Sequence, residues 1–170
     1  MEFSGRFLSE EDKQKIKSAV QLHSPIEITT YTLPREMEMY IQEVLTVFLI
    51  ECHQEHMTDN LIFCLGELLT NSKKANTKRV YFKEKGLDIN NEKDYEKGME
   101  HFKEDTFSNL DHYLELQKKE GLYIKLDMQL RSLGYDSSKN SNRRLGIYLT
   151  NSLEECHPDT GTIWSQWLSS

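Results

Sequence analysis

Between Leu61 and Phe82 the chain reads LIFCLGELLTNSKKANTKRVYF, which begins as an apolar helical pattern interrupted by Glu67 and Asn71. Glu67 and Asn71 stand four residues apart, so on a helix their side chains lie on one face, one turn above the other. Lys74 continues the same stripe. A carboxylate and a carboxamide in so apolar a helix call for a reason, because burying either without partners costs several kcal/mol. A magnesium-nucleotide would supply one.

The flanking elements decide how such a stripe would be held. Ser9-Glu10-Glu11-Asp12 has capping-box spacing and opens a helix to about Leu22. After Pro25, residues 26–33 alternate and are rich in β-branched side chains, which predicts a strand. Pro34 suits the first turn of a helix running to about His56, with Met37, Tyr40, Ile41, Val44, Val47, Phe48 and Cys52 on one face. Thr58-Asp59-Asn60 caps the helix that carries the stripe. Asn76-Thr77 is expected to end that helix, and 78–83 to form a second strand.

Apolar residues at helical spacing across 90–120 predict an amphipathic helix, broken near Ser108-Asn109 and ended by Gly121. Residues 122–130 alternate as a third strand, and 132–142 read as a loop. Residues 145–156 follow a helical pattern, Pro158-Asp159-Thr160-Gly161 reads as a turn, and TIWSQWL at 162–168 reads as a final strand. The expected architecture is α/β (α+β), a two-layer sandwich of helices over one mixed β-sheet.

Composition bounds the partners. A chain of 170 residues suits a single domain with a proper core, and 37% hydrophobic content with a mean hydropathy of -0.67 fits a globular protein with a large solvated surface. The net charge of -7 argues against nucleic acid, whose phosphates need a basic footprint. No apolar run is long enough to span a bilayer. The first residues, MEFSGRFLSEED, lack the features of a signal peptide, so a cytoplasmic location is expected. Cys52, Cys64 and Cys156 are odd in number and far apart, which rules out a full disulfide framework.

The order of strand 26–33, the helix after Pro34, and E-L-x-x-N-x-x-K-A followed by a Val-x-Phe segment resembles the GHKL (histidine kinase-like ATPase) superfamily, nearest the anti-sigma-factor and histidine-kinase-like group. The match covers 25–83, where element order and N-box motif agree. The resemblance implies a single histidine kinase-like ATPase domain over 1–170 with a charged helical insertion around 90–120. It also implies ATP and magnesium as cofactors, and a role as a kinase or ATPase module in cytoplasmic signalling. Asn71 would hold the magnesium ion, Glu67 would act as general base, and Lys74 would stand near the phosphates. Phosphoryl transfer needs positioning and charge neutralisation more than covalent help, which suits these residue types. A single carboxamide oxygen suits magnesium, which takes few protein ligands besides phosphate and water.

The family's glycine boxes are only partly matched. Asp136 is the aspartate nearest the place where the family reads adenine, but no glycines follow it. Residues 142–149 resemble the latter half of the second box and the helix that follows it, with Gly146 the glycine retained and arginine standing where a glycine is expected. Two readings follow: an ATP/Mg-binding module with a protein partner, or a non-catalytic scaffold of the same descent acting as a protein-interaction module. Neither needs a membrane span, and both accommodate a monomer or an oligomer.

Other constellations carry less. Cys52, His53, His56 and the Cys156-His157 pair match no zinc framework, and buried cysteines with surface histidines explain them. G-x-S-x-G elbows and Walker loops are absent. Trp164 and Trp167 fall on opposite faces of the last expected strand. The amphipathic segment 92–120 reads as a cover for the sheet or as a partner-docking helix.

Overall fold

The computed structural model describes residues 8–132 and 143–151. Its elements are α1 (Glu10–Gln21), β1 (Ile26–Thr30), α2 (Arg35–Glu51), a 3-10 turn (Glu55–Met57), α3 (Thr58–Glu84), α4 (Glu92–Ser108), α5 (Leu110–Lys119), β2 (Ile124–Ser132) and β3 (Arg143–Asn151). The chain is α/β and mostly helical. Its three described strands form one sheet in the order β1-β2-β3, and both pairings are antiparallel rather than mixed.

Local chemistry sets several boundaries where the sequence places them. Ser9 Oγ accepts from the Asp12 amide at 3.1 Å, and the Asp12 carboxylate takes the Ser9 amide in return, closing the capping box of α1. Pro34 precedes α2 and its carbonyl accepts from the amides of Met37 and Glu38. The amphipathic segment breaks at Asn109, between α4 and α5. Gly121 then takes φ +67, a conformation that costs glycine nothing, and the Leu122 amide returns to the Gln117 carbonyl.

Two expectations are overturned. Residues 78–83 are not a strand, because α3 runs unbroken for 27 residues to Glu84. Val80, Tyr81 and Phe82 are all buried, and a run of three apolar residues looks strand-like. Here α4 and α5 pack against the C-terminal half of α3 and cover several sides of it at once. Residues 145–151 are not a helix but most of β3, which pairs with β2 along its whole length. Leu145, Ile147 and Leu149 alternate toward the core, opposite Leu130, Met128 and Leu126. Their period of two satisfies a sheet that would otherwise leave the β2 core face open on one side. The expected loop at 132–142, apart from the β2 end, and the turn and strand at 158–168 lie outside the described residues.

The core has two parts. The larger joins α1, β1, α2, the first half of α3, β2 and β3, with Val44, Leu45, Phe48, Leu49 and Met128 fully buried. The smaller holds Val80, Tyr81, Phe82, Tyr113 and Leu122, with Leu87, Met99, Phe102 and Leu116 packed around it. Between them lies a buried polar seam. Gln117 Nε2 donates to Thr77 Oγ1 at 2.9 Å, Thr77 Oγ1 donates to the Lys73 carbonyl, and Asn76 Nδ2 donates to the Tyr123 carbonyl at 3.3 Å.

Gly98 lets α4 lie directly on Phe82: a Cβ there would stand 2.5 Å from Phe82 Cζ. Gly66, by contrast, has open space around it in the middle of α3. Gly98→Ala is therefore expected to cost about 1–3 kcal/mol through overpacking. Gly66→Ala should gain about 0.5–1 kcal/mol by removing a helix-interior glycine. Urea unfolding of the two variants beside wild type checks the contrast; equal effects would refute it.

Candidate functional site

α3 carries the residues singled out by chemistry, and its helical phase decides what each can do. Leu61, Leu65, Leu69, Ser72 and Asn76 face inward. Glu67, Asn71 and Lys74 lie on the opposite, exposed face, together with Phe63, Cys64 and Thr70. None of Glu67, Asn71 and Lys74 makes a hydrogen bond or ion pair with another described residue. The burial that made the stripe puzzling in the sequence is absent, because the apolar residues around it include Phe63, itself 70% exposed. The three side chains share a face, as the spacing predicts, and point into solvent with their polar atoms unengaged.

The neighbouring lysine behaves differently. Lys73, one residue before Lys74, is half-buried and donates to the Leu33 carbonyl at 3.0 Å, with Glu38 at 3.8 Å. It ties α3 to the turn entering α2. Sequence reading passed over Lys73, since only helical phase separates the two lysines. Asn76 was also missed as an inward-facing group. Its Oδ1 is the buried side-chain atom without a partner among the described residues.

The remaining predicted site residues do not join the stripe. Gly146 sits inside β3 opposite Gln129, not ahead of a helix, and the Tyr148 ring lies over it, 2.7 Å from where a Cβ would stand. Its lack of a side chain makes room for that ring rather than for a phosphate. Asp136 falls between β2 and β3 in the chain, outside the described residues. His53 closes the end of α2 with φ +58, and among the described residues no three His, Cys, Asp or Glu side chains gather as a metal site. No described helix is long and apolar enough to cross a membrane.

Past Lys74 the charged residues of α3 meet α4 and α5. Lys78 Nζ donates to Tyr95 Oη at 3.0 Å and stands 5.0 Å from its ring centre. Lys83 pairs with Glu120, Glu84 with His112 at 2.5 Å, and Lys85 with Asp105 at 3.0 Å. Tyr81 Oη also donates to Asp105, at 3.0 Å. Three consecutive side chains thus each find a partner on α4, on α5 or at the α5 C-cap: two by opposite charge and Glu84 through the His112 ring nitrogen. Across the sheet, Lys125 on β2 bridges Glu27 and Asp127 at 3.1 and 3.4 Å, easing the repulsion of two carboxylates placed directly opposite.

The carboxylates of the three straps are held below their ordinary values. For Glu84 the main cause is the hydrogen bond to His112, for Asp105 the bonds to Lys85 and then Tyr81, and for Glu120 the bond to Lys83. Burial pushes the Tyr81 and Tyr113 hydroxyls up, helped by Asp105 and Glu84 respectively. A carboxylate depressed in the folded state stabilises it above the unfolded value and loses that contribution as pH falls through the folded value. The straps are thus intact at neutral pH, and weaken below the ordinary glutamate value of 4.5 and aspartate value of 3.8. Amide exchange in α4 and α5 is expected to quicken in that acid range before exchange in β2 does, and raised salt should narrow the gap by screening these exposed pairs. Simultaneous loss of protection in both regions would refute this order.

Comparison with other proteins adds one finding. The chain is 54% identical over 121 residues to an uncharacterized protein of Treponema pallidum (strain Nichols), a match covering 71% of this chain and 24% of that protein. The matched segment thus spans about a quarter of the relative's length. No family model and no solved structure matches.

Proposed function

We propose that this chain is part of a regulatory ATP- and magnesium-binding module of the histidine kinase-like kind, with the exposed face of α3 as its magnesium-bearing wall. The observation that carries this reading is the alignment of Glu67, Asn71 and Lys74 with free polar atoms, on a helix whose other face is anchored in the main core. In this reading α2 and α3 would form one layer of the expected sandwich and the sheet the other. Asn71 Oδ1 would hold the ion, whose other ligands would be phosphate oxygens and water. When bound, the ion would neutralise charge on the transferring phosphoryl group. Glu67, one turn away, would orient or deprotonate the attacking hydroxyl or water, and Lys74 would supply positive charge at the phosphates. Gly146 has no part in this site.

A second reading is favoured by a different observation. Phe107, near the end of α4, is 87% exposed, and Leu110, the first residue of α5, is 45% exposed. Such a pair suits a non-catalytic interaction module that meets its partner through the 92–120 segment. Calorimetric titration with ADP and magnesium separates the two. Under the nucleotide reading wild type shows a saturable heat, Asn71→Ala weakens it by about tenfold or more, and Glu67→Ala keeps binding while losing turnover. A flat wild-type titration overturns that reading and leaves the interaction module.

A further inference from the structure

On the side of α3 opposite the stripe, the helix emerges from the main core and borders a cleft of about 420 Å³. Arg79, Val80 and Lys83 form one wall, and Glu120, Leu122 and Tyr123 belong to the other, where α5 turns into β2. Its volume falls within the range of small-molecule sites, roughly 300–1,000 Å³.

The charge around the cleft runs against the rest of the molecule. The chain as a whole carries -7, yet the cleft is lined by two cations, Arg79 and Lys83, against the single carboxylate of Glu120. Lys83 Nζ already holds an oxyanion, since the Glu120 carboxylate sits on it. Glu120 thereby acts as a tethered anion that marks where an oxyanion is accepted. The pair is exposed, with 66% of the Lys83 side chain and 35% of the Glu120 side chain accessible, so exchanging the carboxylate for another anion costs little. Arg79 is engaged within the fold and adds its charge at the wall. It stands four residues before Lys83, so the two cations are neighbours one turn apart.

Asn76, one turn before Arg79 and Val80, is buried and donates to the Tyr123 carbonyl, which fixes the chain at the cleft wall where α5 turns into β2.

We propose that this cleft binds a small phosphorylated molecule, with its phosphate at Lys83 and Arg79 in place of the Glu120 carboxylate and its organic part against Val80, Leu122 and Tyr123. A phosphate carries more charge than a carboxylate and presents more acceptor oxygens, so it competes effectively for the same cation. The site is separate from the magnesium-bearing face of α3, does not rest on the nucleotide reading, and needs no divalent ion.

Titration of the whole chain with inorganic pyrophosphate in the absence of magnesium, followed by amide NMR shifts and calorimetry, tests this. Saturable shifts are expected at Gly121, Leu122 and Tyr123. The double variant Arg79→Ala/Lys83→Ala should weaken binding by about tenfold or more. Lys83→Gln, a change at an exposed position, should weaken it in the same direction without disturbing α3. Glu120→Gln should tighten it by roughly threefold, by removing the competing carboxylate. Asn71→Ala should leave it unchanged. The proposal is overturned by absent or non-saturable shifts in wild type, or by identical shifts with sodium chloride at matched ionic strength. It is also overturned if Asn71→Ala abolishes binding while the double variant retains it, which would place the anion on the other face of α3.

Discussion

The interaction on which the rest of the structure depends is the buried hydrogen-bonded seam at Thr77 and Gln117. Thr77 Oγ1 gives its proton to the Lys73 carbonyl and receives one from Gln117, so a threonine in mid-helix is satisfied on both counts. Without those bonds a buried hydroxyl and a buried carboxamide would each cost about 1–3 kcal/mol. With them, α3 passes from the main core into the second without a break. Each later feature of the C-terminal half follows from that continuity. The Phe82–Gly98 contact, the Tyr81 ring among Phe82, Phe102 and Tyr113, and the three charge straps all need residues 78–85 to be helical.

Magnitudes separate what holds α4 and α5 in place from what orients them. Each large apolar side chain of the second core contributes roughly 1.5–3 kcal/mol on burial. An exposed ion pair contributes about 0–1 kcal/mol, less in salt. Packing around Phe82 and Tyr81 therefore provides most of the attachment, and the straps choose the register in which it is made. A slide of one residue along α3 would break all three pairs, and depending on its direction would set Glu84 against Asp105 or against Glu120.

The sequence is most legible where one local rule acts without competition. The capping box at Ser9, the proline before α2, the break at Ser108-Asn109 and the glycine after α5 are each set by nearest neighbours, and each is found. β1 and β2 also follow their alternation. The two elements misread as to type have one cause. At 78–83 and 145–151 the residues satisfy two periodicities, and the choice is made by elements far away in the chain. For the first, α4 and α5 cover consecutive residues of α3. For the second, β2 offers a whole edge to residues 143–151. The candidate site was legible as a stripe but not as a surface, since spacing alone gives relative phase and not which face the core takes.

That last distinction reassigns the polar residues of α3. Asn71 drew notice as a carboxamide in an apolar helix, yet it is Asn76, five residues on, that is buried, and Lys73 rather than Lys74 that is drawn into the fold. The inward set, Ser72, Lys73, Asn76 and Thr77, is explained by structure: these residues let one helix serve two cores. The outward set is left with nothing structural to do. Glu67, Asn71 and Lys74 stabilise no contact in the fold, and their face runs directly into Lys78, whose ammonium group meets Tyr95 of α4. A ligand seated along the outward face would end against α4, and a ligand in the cleft on the other side would replace a strap that orients α5. The continuous helix thus brings both its outward and its inward faces against the same pair of helices, α4 and α5.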